Sequence, residues 1–357
     1  MAMTTSSIRP LSSTSAAEKP LRVWLAGPPC TPPNGPSTAR WRQYQLRDVY
    51  ERVETRHLPF PCDTSGRLRE GLRMMHWRPD VIHAFGGSRE AWAAARWART
   101  LRCPWIFQPD GAVCRSSWKE EPDWKRADTL VVEDRAARER VNVRSGRLSA
   151  IVPPPWRVAA RPAAAQDRET AIWVGEDASA DGWMAETVLR ALGALKAATP
   201  LHLDLRVEAK ALDRLRPLAD ALPRNRKVTL LASAQGLLRT SSWHQAEAYL
   251  DLGSRPLDSA EAALPSRAAR EAVARHVGVI AAPETPLHGL IAHQQTGLHL
   301  DGPDRVSTLA VLDHALEHRE HLPLMGRNLH EFASWHFDPA STAQQLEGIY
   351  RDVVGLA

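Results

Sequence analysis

Long apolar runs are missing from this sequence. No stretch of about 18 uncharged apolar residues occurs, the length a helix needs to cross a bilayer, so no spanning helix is expected. Cysteine is scarce: Cys30, Cys62, Cys103 and Cys114 form no C-x-x-C pair and have no histidine nearby at zinc spacing. Disulfide frameworks belong mostly to small secreted chains, so buried, reduced thiols of a cytosolic protein are expected instead. No G-x-G-x-x-G fingerprint is present, and no basic stripe accompanies a recognised nucleic-acid module, which argues against a nucleic-acid partner. Residues 1–20 are rich in Ser, Thr and Ala, lack the apolar stretch of a secretory signal, and read as a disordered tail.

What is present suits two domains. The chain has 357 residues, 43% hydrophobic and 24% charged, enough for two separate cores. The net charge of +5 comes mostly from arginine and favours anionic partners such as nucleotide diphosphates or phospholipid headgroups. Short apolar runs that end at Gly or Pro alternate with helical patterns. Strands are expected at 21–26, 56–59, 79–84, 104–107, 129–132 and 148–152, with helices at 38–54, 67–76, 88–101 and 135–141 between them. Residues 157–168, loaded with Ala, Pro and Arg, read as a linker. Beyond it, strands are expected at 170–174 (ending at Gly175), 201–207, 227–231, 248–252 and 278–282. The helices there are expected at 181–197, 212–222, 266–275 and 339–354. Regular βα alternation predicts an α/β protein with parallel sheets covered by helices on both faces.

Several segments, in order, resemble one family. Pro79-Asp-Val-Ile-His-Ala84 is similar to a strand in the first domain of family-4-type glycosyltransferases. Ala127-Asp-Thr-Leu-Val-Val132 with the helix after it, Val279-Ile-Ala-Ala282 followed by Thr296-Gly-Leu-His-Leu300, and the tails 327–337 and 345–354 resemble further segments of that family. The resemblance covers roughly residues 21–355. It implies a GT-B architecture: a first (acceptor) domain over 21–156, a second (donor) domain over 169–336, and a helix over 337–357 that crosses back to the first. It also implies a nucleotide-sugar donor as substrate, no separate cofactor, and transfer with retained configuration.

The donor motifs depart from the family pattern. Of its two glutamates, the second falls on Glu271 but the first falls on Ala263. The arginine and lysine expected after the first donor-domain strand are replaced by the acidic stretch Gly175-Glu-Asp-Ala-Ser-Ala-Asp181, which would repel a diphosphate unless a metal or other arginines compensate. After the strand at 278–282, Glu284-Thr-Pro-Leu-His-Gly289 stands where two glycines and a glutamate are expected. The candidate donor-binding residues are Gly27, Gly175, Glu271, Glu284, Thr285 and Leu287. A helix starting near Leu287 would offer its positive end to the leaving diphosphate. His288 could supply a proton there, or be a surface histidine; Glu271 could hold the donor ribose, or be a solvated carboxylate. Asp110 is a candidate acceptor-side base, or a plain turn aspartate before glycine. His83 suits either cleft lining or a hydrogen-bonded core histidine. No metal ligands are singled out.

Tryptophan is over-represented, 13 against 5 Phe and 4 Tyr, and Trp41, Trp97 and Trp124 sit among arginines. Such clusters suit helix faces with Trp inside and Arg outside, or peripheral contact with an anionic membrane and a lipid-linked or glycan acceptor. Two functions are therefore open: a cytoplasmic hexosyltransferase, peripheral to the inner face of the membrane in one version, or an inactive GT-B protein that partners an active transferase.

Overall fold

The computed structural model describes residues 20–27, 53–59, 75–109, 126–133, 135–153, 156, 158, 169–179, 181–233, 241–253, 265–283, 285–300, 302 and 304–355. The first sheet is built from β1 (Arg22–Gly27), β2 (Glu54–Pro59), β3 (Val81–Gly86), β4 (Trp105–Pro109), β5 (Thr129–Val132) and β6 (Ser149–Ile151). All pairings are parallel, in the order β2-β1-β3-β4-β5-β6. Strands covered on both faces need apolar residues at successive positions, and β3 to β5 have them. Alternate residues then serve different cores. Trp24, Ala26, Ile82 and Ala84 face α1 (Ser88–Leu101) and α2 (Arg135–Ser145), while Val23, Leu25, Val81 and Phe85 face the opposite layer. On α1, Ala91, Ala94, Ala95 and Ala98 fall at helical spacing on the sheet side, and their small side chains let the helix sit close.

The second sheet comprises β7 (Ala171–Asp177), β8 (Leu201–Val207), β9 (Arg226–Ala232), β10 (Ala248–Gly253), β11 (Gly278–Ala281) and β12 (Leu298–His299). Its order is β12-β11-β10-β7-β8-β9, again all parallel. One core lies under α3 (Trp183–Leu192), α4 (Leu212–Asp220) and α6 (Arg305–Glu317), and the other under α5 (Arg267–Ala274) and α7 (Leu322–His336). The expected linker, 157–168, lies outside the described residues except for Val158, as do the tail 1–19 and the helices expected at 38–54 up to residue 52 and at 67–76 up to residue 74; Glu54, expected at a helix end, instead begins β2. Several details differ from the sequence reading. Strand β7 continues past Gly175 to Asp177, helix α3 is much shorter than 181–197, and helices α6 and α7 and the short strand β12 have no sequence-based counterpart.

Helix α8 (Pro339–Gly355) returns to the first domain. Its Ala343, Leu346, Tyr350 and Val353 complete the core that Val23, Leu25, Val81, Phe85, Ile106 and Val131 begin. His83 is fully buried and shares a 2.7 Å hydrogen bond between Nδ1 and the Tyr350 hydroxyl. Its ring also stacks on Phe85 at 4.0 Å. Of the two readings open for His83, the structure supports the core histidine. Removing the hydroxyl with Tyr350→Phe leaves a buried imidazole short of a partner and should cost about 1–2 kcal/mol in urea unfolding. Tyr350→Ala, which also empties core volume, should cost about 3–5 kcal/mol. Equal stability of Tyr350→Phe and the wild type would refute the first expectation.

Candidate functional site

Connections from β7 run one way across the second sheet, to β8 and β9, and those from β10 run the other way, to β11 and β12. Adjacent strands whose connections diverge leave a crevice at their carboxyl ends, where ligands bind in open parallel sheets. In this chain the carboxyl ends of β7 and β10 bring Glu176, Asp177, Asp251 and Gly253 together.

Glu176 is 2% exposed and lies in register with Arg206 of β8, with which it forms an ion pair. Its other oxygen accepts hydrogen bonds from the Ser266 hydroxyl at 3.0 Å and the Tyr249 hydroxyl at 3.4 Å. Burial, with Asp251 adding to it, raises the Tyr249 phenol well above its ordinary range, so it stays a neutral donor. Asp177, also buried, accepts N–H bonds from Ser179 at 3.0 Å and Ala185 at 2.8 Å, as well as the Ser179 hydroxyl. Ala185 lies in the first turn of α3, so this carboxylate takes up the positive end of the helix. The acidic stretch is therefore not an uncompensated wall. Glu176 is neutralised by an arginine and Asp177 by helix N–H groups, and Asp181 alone of the three is exposed.

Asp251 is the unusual group at this edge. It is 4% exposed, and its Oδ2 has no hydrogen-bond partner. Burial pushes its carboxyl up to about 7; hydrogen bonds with the Thr285 hydroxyl and from the Leu287 N–H hold it from rising further, and nearby Asp177 adds to the rise. The Thr285 hydroxyl also donates to Ala282 O at 3.0 Å.

Thr285 and Leu287 are thus brought together around Asp251, both buried. The helix expected to begin near Leu287 is not formed. Residues 286–290 make turns closed by bonds such as Leu290 N–H to Leu287 O at 2.9 Å, so no helix dipole is available there. His288, half-buried on this turn, stacks on His299 at 4.2 Å. Gly175 is also corrected. It lies inside the sheet between Leu205 and Leu250, and a Cβ there would stand 3.1 Å from each, so packing explains it and its backbone does not line a terminal loop. Glu271 sits on α5, the helix capped by Ser266, and its carboxylate accepts from Arg275 Nε at 2.8 Å. Gly27 ends β1 at the far sheet, in register with Pro59. Asp110 and Glu284 lie outside the described residues, as do Ala263, Trp41 and Trp124. Trp97 packs on the first core, edge-on to Trp24, whereas Trp92 is 49% exposed with the Arg96 guanidinium 5.5 Å from its ring. Cys103 offers no nucleophile: burial, and then Asp80, push its thiol up to about 12.

Sequence reasoning missed Arg206, Tyr249, Asp251 and Ser266. None of them stood out: Arg206, for one, simply continues the apolar–polar alternation of Leu201–Val207.

The chain superposes on known structures over nearly its whole length. HepE from Anabaena, solved with UDP, superposes with a TM-score of 0.61 at 13% identity, over 93% of this chain and 100% of HepE. Sucrose-phosphate synthase from Thermosynechococcus elongatus gives 0.60 at 13% identity, over 94% and 100%. The lipopolysaccharide outer core galactosyltransferase WaaB gives 0.60 at 11% identity, over 92% and 100%. The fold is GT-B. HepE has also been solved with UDP-glucose. No protein-family model matches the sequence, and no curated protein matches it either. Among the described residues of this GT-B chain, no helix is long and apolar enough to cross a membrane.

The raised Asp251 carboxyl has a measurable consequence. The unfolded chain releases this proton near the ordinary value of 3.8, while the folded chain keeps it to about 7. Stability from this group is therefore full below about pH 4 and lost as pH rises to about 7, a loss on the order of a few kcal/mol. Denaturant unfolding between pH 4 and pH 8 should show that decline, and Asp251→Asn should flatten it. Parallel profiles for the two proteins would show that Asp251 titrates normally.

Proposed function

We propose that this chain is a glycosyltransferase that moves a hexose from a nucleotide-diphosphate sugar to a glycan or lipid-linked acceptor with retained configuration. The observation that carries the reading is a GT-B architecture over the whole described chain, with its topological switch point at the carboxyl ends of β7 and β10. Glu271 holds the donor ribose from α5, and Thr285 and Leu287 line the donor side next to Asp251. His288 is the candidate proton donor to the leaving diphosphate, and Asp110 the acceptor-side base. The protein acts in the cytoplasm, and exposed Trp92 with Arg96 favours peripheral contact with an anionic membrane.

A second reading is supported by the charges at the crevice. Glu176 holds Arg206, and Asp177 holds the N-terminal turn of α3, so two groups suited to a diphosphate are already engaged by the chain itself. On that reading the protein binds an active transferase and turns over nothing.

Thermal unfolding with UDP, GDP, ADP and their sugar conjugates, with and without magnesium or manganese, separates the two. A ligand at 100 times its Kd adds about 2.7 kcal/mol of stability. The transferase reading expects one nucleotide to raise the melting temperature, Glu271→Ala to weaken that nucleotide about ten-fold or more, at roughly 1.4 kcal/mol per ten-fold, and slow hydrolysis of its sugar conjugate. No shift at millimolar concentration with any of them would overturn it in favour of the inactive partner.

A further inference from the structure

We propose that His318, Glu320 and His321 form a binding site for a zinc-class divalent cation on the turn that joins α6 to α7. His318 Nδ1 lies 3.7 Å from Glu320 Oε1, and His321 Nε2 lies 3.9 Å from the same oxygen. One donor atom from each residue falls within 4.8 Å of the others. Zinc bonds of about 2.0–2.2 Å at tetrahedral angles put neighbouring ligand atoms roughly 3.3–3.6 Å apart, so small rotations of three exposed side chains close the site. Two imidazoles and one carboxylate suit zinc and its first-row neighbours, whereas magnesium and calcium prefer all-oxygen shells.

The backbone beneath the ligands is already held. His318 N–H donates to His314 O at 3.0 Å, and His321 N–H donates to His318 O at 2.9 Å. Arg319, between the ligands, points the other way. Its Nε donates to the nearly buried Glu247 at 3.0 Å, and its guanidinium also reaches Glu169 O at 3.5 Å. That anchor orients the flanking side chains outward together. The two imidazole planes are 8° from parallel with ring centres 5.7 Å apart. His314, one turn earlier on α6, stands with its ring 4.7 Å from His318. Three protein ligands leave a fourth position to water on the exposed side.

Glu247 immediately precedes β10, so this turn lies at the amino edge of the second sheet, opposite the crevice. The cation therefore takes no part in donor binding. It cross-links the end of α6 to the start of α7, the helix that leads into α8.

Titration of the tag-free, full-length protein with Zn²⁺ by calorimetry, after chelation and dialysis, tests the site. The wild type should bind Zn²⁺ with a rise in melting temperature, and Mg²⁺ should give neither signal. His318→Ala, His321→Ala and Glu320→Gln should each weaken Zn²⁺ binding about ten-fold or more, while His293→Ala leaves it unchanged. An unaltered titration in the His318→Ala/His321→Ala double variant would overturn the proposal. So would loss of binding that follows His293→Ala, or a Mg²⁺ response equal to that of Zn²⁺.

Discussion

A carboxylate that is almost wholly buried has to be compensated, and Glu176 imposes that demand on most of the second domain. The Arg206 partner requires β8 to lie in one register beside β7, since a one-residue slip would turn the guanidinium to the other face. The Ser266 hydroxyl that bonds Glu176 also accepts the Ala269 N–H and so starts α5. A similar pair, Glu247 with Arg319, joins the opposite edge to the turn before α7. Losing one partner of a buried pair costs about 3–5 kcal/mol, far more than the pair adds over an apolar substitute. Such pairs specify an arrangement more than they strengthen it.

This arrangement explains which parts of the architecture could be read from the sequence. Buried parallel strands announce themselves as apolar runs, and β10 and β11 lie where those runs predict, as β8 lies where its alternation predicts. The end of β7 was hidden because its last residues are glutamate and aspartate, acceptable in a buried strand only when distant partners neutralise them. Nothing near Glu176 in the chain points to Ser266, Tyr249 or Arg206. Helix α6 was missed for a different reason: Leu309, Leu312, Ala315 and Leu316 give only a weak stripe among polar residues. In place of the helix expected at Leu287 the chain closes tight turns, with His288 N–H bonded to Thr285 O and Leu290 N–H to Leu287 O.

Of the candidate donor residues, Thr285 and Leu287 were legible as a turn after β11, but the sequence did not show that they gather around Asp251, an aspartate inside a strand run that gave no functional signal. Glu271 occupies the helix that the family resemblance implies, paired with Arg275. Gly175 shows how a glycine after a hydrophobic run can be a packing residue, present because Leu205 and Leu250 leave no room for a side chain. At this edge the chain's own carboxylates, Glu176 and Asp177, engage Arg206 and the N-terminal turn of α3.

The returning helix bears on the order in which the protein is made. One face of the first sheet is covered by Leu346, Tyr350 and Val353, which the ribosome adds roughly 200 residues after that sheet's last strand. At about 5–20 residues per second, the patch formed by Val23, Leu25, Val81 and Phe85 waits on the order of 10–40 s for these contacts. The two parts of one small core are thus made far apart in time.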